Sequence, residues 1–212
     1  IVWYENNGSE SFTAHTITAS ALYATDVHAI DLDQDGDIDV LSSSDLDDKI
    51  AWYKNDGSEN FTANTITTSA DNAQAVYAID LDGDGDIDVL SGSANDDKIA
   101  WYENNGSESF TAHTISTSAD GANDVYAIDL DNDGDVDVLS ASPWDDKIAW
   151  YENNGSESFT ANTISTSADG ARKIHVVDIE KDGDLDVLSA SSTDDKIAWY
   201  ENNGSESFTT HN

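Results

Sequence analysis

The stretch Asp80-Leu81-Asp82-Gly83-Asp84-Gly85-Asp86-Ile87-Asp88 decides how the chain is read. Carboxylates stand at its positions 1, 3, 5, 7 and 9, and Gly85 stands at position 6. Five acids this close repel one another strongly unless a cation sits among them. Oxygen ligands on alternate residues, with glycine where the backbone turns sharply, suit a hard divalent ion. Calcium is expected before magnesium, which prefers a rigid octahedron that keeps several waters. The spacing assigns side-chain oxygens to Asp80, Asp82 and Asp84, the backbone carbonyl to Asp86 with its carboxylate in water, and both oxygens to Asp88. An EF-hand closes with a glutamate at position 12 and runs into a helix. Position 12 here is Ser91, and Ile87-Asp-Val-Leu-Ser91 is an extended, partly β-branched run. The loop therefore joins two strands.

The pattern occurs four times, each copy starting 49 residues after the last. The candidate ligands are Asp31, Asp33, Asp35, Asp37 and Asp39; Asp80, Asp82, Asp84, Asp86 and Asp88; Asp129, Asp131, Asp133, Asp135 and Asp137; and Asp178, Glu180, Asp182, Asp184 and Asp186. One calcium per full repeat makes four per chain. The fourth copy departs from the others with Glu180 at position 3 and Lys181 at position 4, and is expected to bind most weakly.

A period of this length marks a repeat architecture and makes the 212 residues one repetitive unit. It divides into a half unit, 1–18, and repeats at 26–67, 75–116, 124–165 and 173–212. The formal charge is −36, and the loops hold 20 of the 44 acidic residues. So acidic a surface excludes nucleic acid and anionic membranes as partners, since both need basic patches. The absence of cysteine removes thiol catalysis and cysteine-based metal sites, and leaves metal ions to do the stapling that disulfides do elsewhere. No apolar run reaches the ~18 residues of a membrane span. The chain starts at Ile1 without a leader, as a processed product or a piece of something longer would.

The strands follow from alternation and turn chemistry. In the second repeat they are expected at Val76–Leu81, Ile87–Ser93, Lys98–Asn104 and Phe110–Ser116, with Thr117–Asp124 as the link onward. Asn105-Gly106 supplies the positive φ angles of a tight hairpin. The Trp-Tyr strand recurs at Trp3, Trp52, Trp101, Trp150 and Trp199. Ile99 and Trp101 lie on one of its faces, Ala100 and Tyr102 on the other, so both faces are buried. Short four-stranded antiparallel units that are apolar on both sides must stack on one another. The expected fold is all-β: a β-propeller of four-stranded antiparallel blades with 49-residue repeats. A parallel β-helix would lack three tight antiparallel turns per repeat.

The combination Asp-Leu-Asp-Gly-Asp-Gly-Asp-Ile-Asp-Val-Leu-Ser, then Lys-Ile-Ala-Trp-Tyr-Glu-Asn-Asn-Gly, then Ser-Phe-Thr-Ala-His-Thr-Ile resembles the FG-GAP/VCBS repeat family, which includes the integrin α-subunit propeller. The resemblance covers essentially the whole chain and fails position by position only at Glu180. It implies calcium in the hairpin between the first two strands of a blade, an extracellular or cell-surface location, and a role in adhesion or carbohydrate binding.

Differences between repeats are few. His28, Tyr77, Tyr126 and His175 share one position; His15, Asn64, His113, Asn162 and His211 share another. The histidines read as sheet residues, since zinc would need three or four converging ligands. Trp144 reads as packing on a neighbouring turn, with an exposed ligand platform as the other reading; Arg172-Lys173 reads as a local counter-charge. No unrepeated acid/base pair is present, so no enzyme is expected. The expected function is a binding module for glycans or a protein partner, gaining avidity from repetition, with a pure scaffold as the alternative. The half unit leaves exposed strand edges that recruit other chains, and two chains sharing one eight-bladed ring are expected, with a four-bladed monomer as the alternative.

Overall fold

The computed structural model describes residues 1–211. The expected end of the fourth repeat, at 212, lies outside the described residues. All regular structure among the described residues is β. A two-stranded hairpin, β1 (Val2–Asn6) and β2 (Phe12–Thr16), comes first. Four antiparallel sheets follow. Sheet 1 holds β3 (Ala24–Ile30), β4 (Asp39–Ser44), β5 (Lys49–Asn55) and β6 (Phe61–Thr67). Sheet 2 holds β7 (Ala73–Ile79), β8 (Asp88–Ser93), β9 (Lys98–Asn104) and β10 (Phe110–Ser116). Sheet 3 holds β11 (Asp124–Ile128), β12 (Asp137–Ser142), β13 (Lys147–Asn153) and β14 (Phe159–Ser165). Sheet 4 holds β15 (Ala171–Val177), β16 (Asp186–Ser191), β17 (Lys196–Asn202) and β18 (Phe208–His211). In every sheet each strand pairs with its neighbour in sequence. Among the described residues no helix is long and apolar enough to cross a membrane.

The third and fourth strands of sheet 2 run as the sequence predicts. The first strand is shifted: β7 covers Ala73–Ile79 where Val76–Leu81 was expected. Ala73, Gln74 and Ala75 have low strand propensity. They are held because Ala73 pairs with Ser93 and Ala75 with Gly92, across a bulge. The C-terminal end of the expected strand goes to the loop, because the Leu81 N–H donates to Asp88 Oδ2 rather than to a ladder.

The core lies between sheets. On one face of sheet 1, Leu32, Leu41, Ile50 and Trp52 meet Ala73, Val76, Ala78 and Tyr102 of sheet 2. The same two faces meet between sheets 2 and 3 and between sheets 3 and 4. Each sheet thus offers a bulky face of Leu or Ile with Trp to the next sheet and a small-residue face to the previous one. Large against small lets the layers interdigitate without voids. Within each sheet a buried Ser–Tyr hydroxyl pair, such as Ser91 and Tyr102 at 3.1 Å, lets two inward-facing hydroxyls satisfy each other.

The first strands converge. Rings of His28, Tyr77, Tyr126 and His175 follow one another with centroid separations of 4.9, 5.0 and 5.9 Å. Lys173 Nζ lies 2.8 Å from Asp124 and 3.9 Å from Asp26, so side chains of sheets 1, 3 and 4 meet beside this column. That makes Lys173 the counter-charge the sequence suggests. The strand-hairpin histidines also behave as sheet residues: His113 stacks on Trp101 at 4.6 Å and pairs with Glu103 at 2.8 Å.

If the core sits between sheets, position decides the cost of truncation. Ile148→Ala should lower stability by about 2–5 kcal/mol in denaturant melts, because Ile148 is fully buried between sheets 3 and 4. The equivalent Ile197→Ala should change it by no more than about 0.5 kcal/mol, because Ile197 is 70% exposed.

Candidate metal centre

Each acidic loop leaves the first strand, makes two left-handed residues, and re-enters the second strand. Position 6 has φ near +100° in all four copies (Gly36 +99°, Gly85 +98°, Gly134 +101°, Gly183 +103°), a backbone that glycine adopts without strain. Position 4 is also left-handed but nearer +60°, which is why Gln34, Asn132 and Lys181 can stand where the second copy has Gly83.

Position 9 anchors the loop. Asp88 is buried at the start of β8, its Oδ2 accepting the Leu81 N–H at 3.0 Å and its Oδ1 the Asn104 N–H at 2.7 Å. One carboxylate therefore ties the entry of the loop to the end of the third strand. Asn104 returns the bond by donating its side-chain amide to the Ile87 carbonyl at 3.0 Å. Asp39, Asp137 and Asp186 repeat the arrangement with Asn55, Asn153 and Asn202. The Glu-Asn-Asn-Gly motif thus has a role that its hairpin reading does not show: its first Asn latches the metal loop.

Positions 1, 3 and 9 come together. Asp31, Asp33 and Asp39; Asp80, Asp82 and Asp88; Asp129, Asp131 and Asp137; and Asp178, Glu180 and Asp186 each offer oxygens within 4.8 Å of one another. Position 1 is aimed by the loop's own amides, as where Asp80 accepts from Gly83 and Gly85 at 2.9 and 3.1 Å. The carboxylates of position 5 (Asp35, Asp84, Asp133, Asp182) stay outside this group, exposed, and cap the amide two residues on. Position 7 (Asp37, Asp86, Asp135, Asp184) turns its carboxylate against the hairpin glycine of its own sheet. A Cβ on Gly106 would lie 2.4 Å from Asp86 Oδ2, and Gly57, Gly155 and Gly204 are alike. The hairpin glycine is therefore required twice, for its φ and for this approach.

The donor set fits a hard cation. It is all carboxylate oxygen, without a nitrogen or sulfur ligand. Oδ1 of Asp31 and Oδ1 of Asp33 are buried with no hydrogen-bond partner, the state of a ligand atom whose partner is an ion. Burial pushes the Asp88 carboxyl up to about 6 against the amide bonds from Asn104 and Leu81, and does the same at Asp137. Asp39 is raised for the same reason. Ionising the cluster without a cation is thus unfavourable. Beside it, the indole Nε1 atoms of Trp52, Trp101, Trp150 and Trp199 are buried without a partner.

Two departures distinguish the copies. Lys54 was not anticipated in the sequence reading. It replaces the Glu found at positions 103, 152 and 201 and sends its ammonium onto Asp33 and, at 2.6 Å, onto Glu108 of sheet 2. These hydrogen bonds hold the Lys54 pKa above its ordinary value. One of the three convergent carboxylates in the first loop is thereby already neutralised. In the fourth loop, Glu180 keeps its place in the group and Lys181 enters through its backbone N–H, 2.6 Å from Asp178 Oδ1.

Clefts open where a loop faces the hairpin of the next sheet. One of about 360 Å³ is lined by Asp33, Trp52 and Lys54 of sheet 1 with Asp86, Asn104 and Glu108 of sheet 2. Another of about 350 Å³ has Asp82, Trp101, Glu103 and His113 of sheet 2 with Ser156 and Glu157 of sheet 3. Trp144 lies apart from both. It is 59% exposed, yet its ring covers Gly121, where a Cβ would come within 2.5 Å.

A model of the FG-GAP-like repeat matches residues 1–42, 31–91, 80–140 and 129–189. No curated protein matches the chain. Among solved structures, a lectin from Agrocybe aegerita that recognises non-reducing terminal N-acetylglucosamine is 17% identical, with a TM-score of 0.64 over 99% of this chain and 60% of that one. The V. cholerae biofilm matrix protein Bap1 is 21% identical, with a TM-score of 0.58 over 86% of this chain and 27% of that one. A candidate 6-phosphogluconolactonase from Bacteroides uniformis is 14% identical, with a TM-score of 0.60 over 87% and 53%. These likenesses are of fold, and the chain spans less than two thirds of each of these structures.

Two outcomes follow. Lys54→Glu should raise the affinity of one site for calcium by roughly an order of magnitude in a calorimetric titration, leaving the others unchanged. In chelator, the melting temperature should rise as pH falls from 7 to 5. Folded-state values for Asp88 and Asp137 near 6, above the ordinary carboxylate value of 3.8, mean that the folded form takes up protons first. A melting temperature that falls over this range in chelator would contradict the buried, cation-free reading of these carboxylates.

Proposed function

Because the chain belongs to the family of FG-GAP-like repeats, we propose that it forms an extracellular, calcium-stabilised β-propeller arc that binds glycans or a protein partner. Calcium is supported by the all-oxygen groups of three carboxylates within 4.8 Å in each repeat and, in the first loop, by the buried, unpartnered Oδ1 atoms of Asp31 and Asp33. When bound, the ion neutralises the group; the chain's own amides aim positions 1 and 9 and so set where it sits.

The observation that carries the binding reading is the polar cleft between a metal loop and the hairpin of the next sheet. Its carboxylates, serine and histidine are donors and acceptors suited to sugar hydroxyls, and a Trp lies at its wall. Several equivalent weak contacts on one rigid arc would act together. The fold likeness to a lectin and to a biofilm matrix protein agrees with this reading. A scaffold without a ligand is the second reading, favoured by the excess of like-charged carboxylates in the same clefts.

The chain is also read as a non-enzyme. Its clustered carboxylates recur in every repeat, and the unrepeated cations Lys54 and Lys173 are each held by carboxylates in ion pairs. Association with a second chain belongs to the same reading, since the four sheets leave apolar faces open at both ends.

A glycan array probed in calcium and again in EGTA tests this function. Binding to a defined set of glycans that disappears in EGTA is the expected result. Absence of binding to any glycan in calcium would leave the scaffold reading. Turnover of a glycan or ester substrate that is lost on mutating one unrepeated residue, Trp144 or Arg172, would contradict the non-enzyme reading.

A further inference from the structure

The two ends of the molecule are the two halves of one interface. Between sheets 3 and 4 the bulky face of the earlier sheet is filled by the small-residue face of the later one. At the far end of sheet 4 the bulky face is open: Ile197 is 70% exposed, whereas Ile50, Ile99 and Ile148 are fully buried. Ile179, at the loop position of Leu32, Leu81 and Leu130, is 41% exposed. A shallow apolar cleft of about 190 Å³ lies over Ile174, Leu188, Ala190 and Ile197. At the near end of sheet 1 the small-residue face is open instead. Val27 is 55% exposed, whereas Val76 and Val125 are at 3% and 4%, and Ala24 and Ala29 are exposed beside it.

The hairpin β1–β2 sits at that near end as half of a missing sheet. Its residues 1–15 match residues 197–211 at 13 of 15 positions, differing only at Val2 against Ala198 and Ala14 against Thr210. It is therefore a third and fourth strand without a first and second. Ala51 and Tyr53, whose counterparts on sheet 2 are covered by the preceding Trp, are buried. This burial puts β1–β2 where the outer half of a preceding sheet would stand, with Ile1 and Trp3 half-buried. What is absent is the inner half, and Tyr4 shows it. Tyr4 is 64% exposed, whereas Tyr53, Tyr102, Tyr151 and Tyr200 are at 3% or less, each within hydroxyl distance of the serine of its second strand.

We propose that a second copy of this chain supplies that inner half: its β15–β16 pairs with β1, displaces its own β17–β18, and forms one composite sheet shared between two chains. This specifies the association included in the functional reading above and rests on it. The register follows from the complete sheets, where Ser189 faces Ala198 and Leu188 faces Trp199. In the composite, Ser189 faces Val2 and Leu188 faces Trp3 of the other chain. Exchanging one hairpin for its near-duplicate keeps the number of ladder bonds the same. The gain is burial, since Ile179 and Leu188 then cover the open Val27 face while Ile1 and Trp3 complete the bulky set. Each junction joins the end of one chain to the start of the other, and two of them related by a two-fold axis close a ring of eight sheets, within the four to about eight blades that propellers adopt.

Light scattering of the full chain in calcium gives the first test. Twice the 22.8 kDa of one chain is expected, and the mass of a single chain overturns the proposal. Two equivalent substitutions then separate the composite sheet from association of another kind. Tyr4→Asp should reduce the mass to one chain with unchanged circular dichroism, because Tyr4 is exposed in the single chain. Tyr200→Asp should keep the doubled mass, because β17 is released. If Tyr4→Asp keeps the doubled mass, the composite sheet is wrong while self-association stands. The chain has no cysteine, so Val2→Cys with Ser189→Cys reports the pairing directly. Oxidation should give a band of doubled mass on a non-reducing gel, and a link within one chain overturns the proposal.

Discussion

The structure depends on one buried carboxylate per repeat. Asp39, Asp88, Asp137 and Asp186 are fully or almost fully removed from solvent, yet each is placed within 4.8 Å of two further acids. Two backbone amides hold each of them, one from the loop and one from the end of the third strand. Such an anion is costly to bury unless it is compensated. The amide bonds supply part of the compensation, and a cation held among the three carboxylates would supply the rest. Because the same carboxylate fixes the loop to the third strand, neutralising it also sets the register of the sheet.

The strand that carries the latching asparagine also carries the tryptophan and isoleucine that fill the next sheet's small-residue face. Local electrostatics and inter-sheet packing are thus connected through β5, β9, β13 and β17. The residues that hold a loop and the residues that pack against the next sheet thus share one strand. The terminal sheets show the corollary. Where a neighbour is missing, the same residues that are buried inside the series stand open.

Much of this was legible in the sequence because the repeat compares each residue with its own copies. Lys98–Asn104 and Phe110–Ser116 were readable to the residue from alternation and from the Asn-Gly turn between them. The start of β7 was not, because Ala73-Gln-Ala75 has no strand signal and is held by its partner strand. Positions 1, 3 and 9, three of the five that the spacing singles out, lie together in each loop. The outward turn of the position 5 carboxylate and the folding of position 7 onto the hairpin glycine depend on backbone angles that spacing does not encode. Lys54 escaped notice because its partners, Asp33 and Glu108, are distant in sequence and meet only through the stacking of sheets.

The central claim is that the acidic loops need a cation for the fold to hold. A thermal melt of one sample in EGTA, followed by the same sample with excess calcium, tests it most directly. The account predicts that strand-rich circular dichroism and the melting temperature fall in EGTA and recover with calcium, as expected for an ion that binds the native state. An identical melt in both conditions would contradict it.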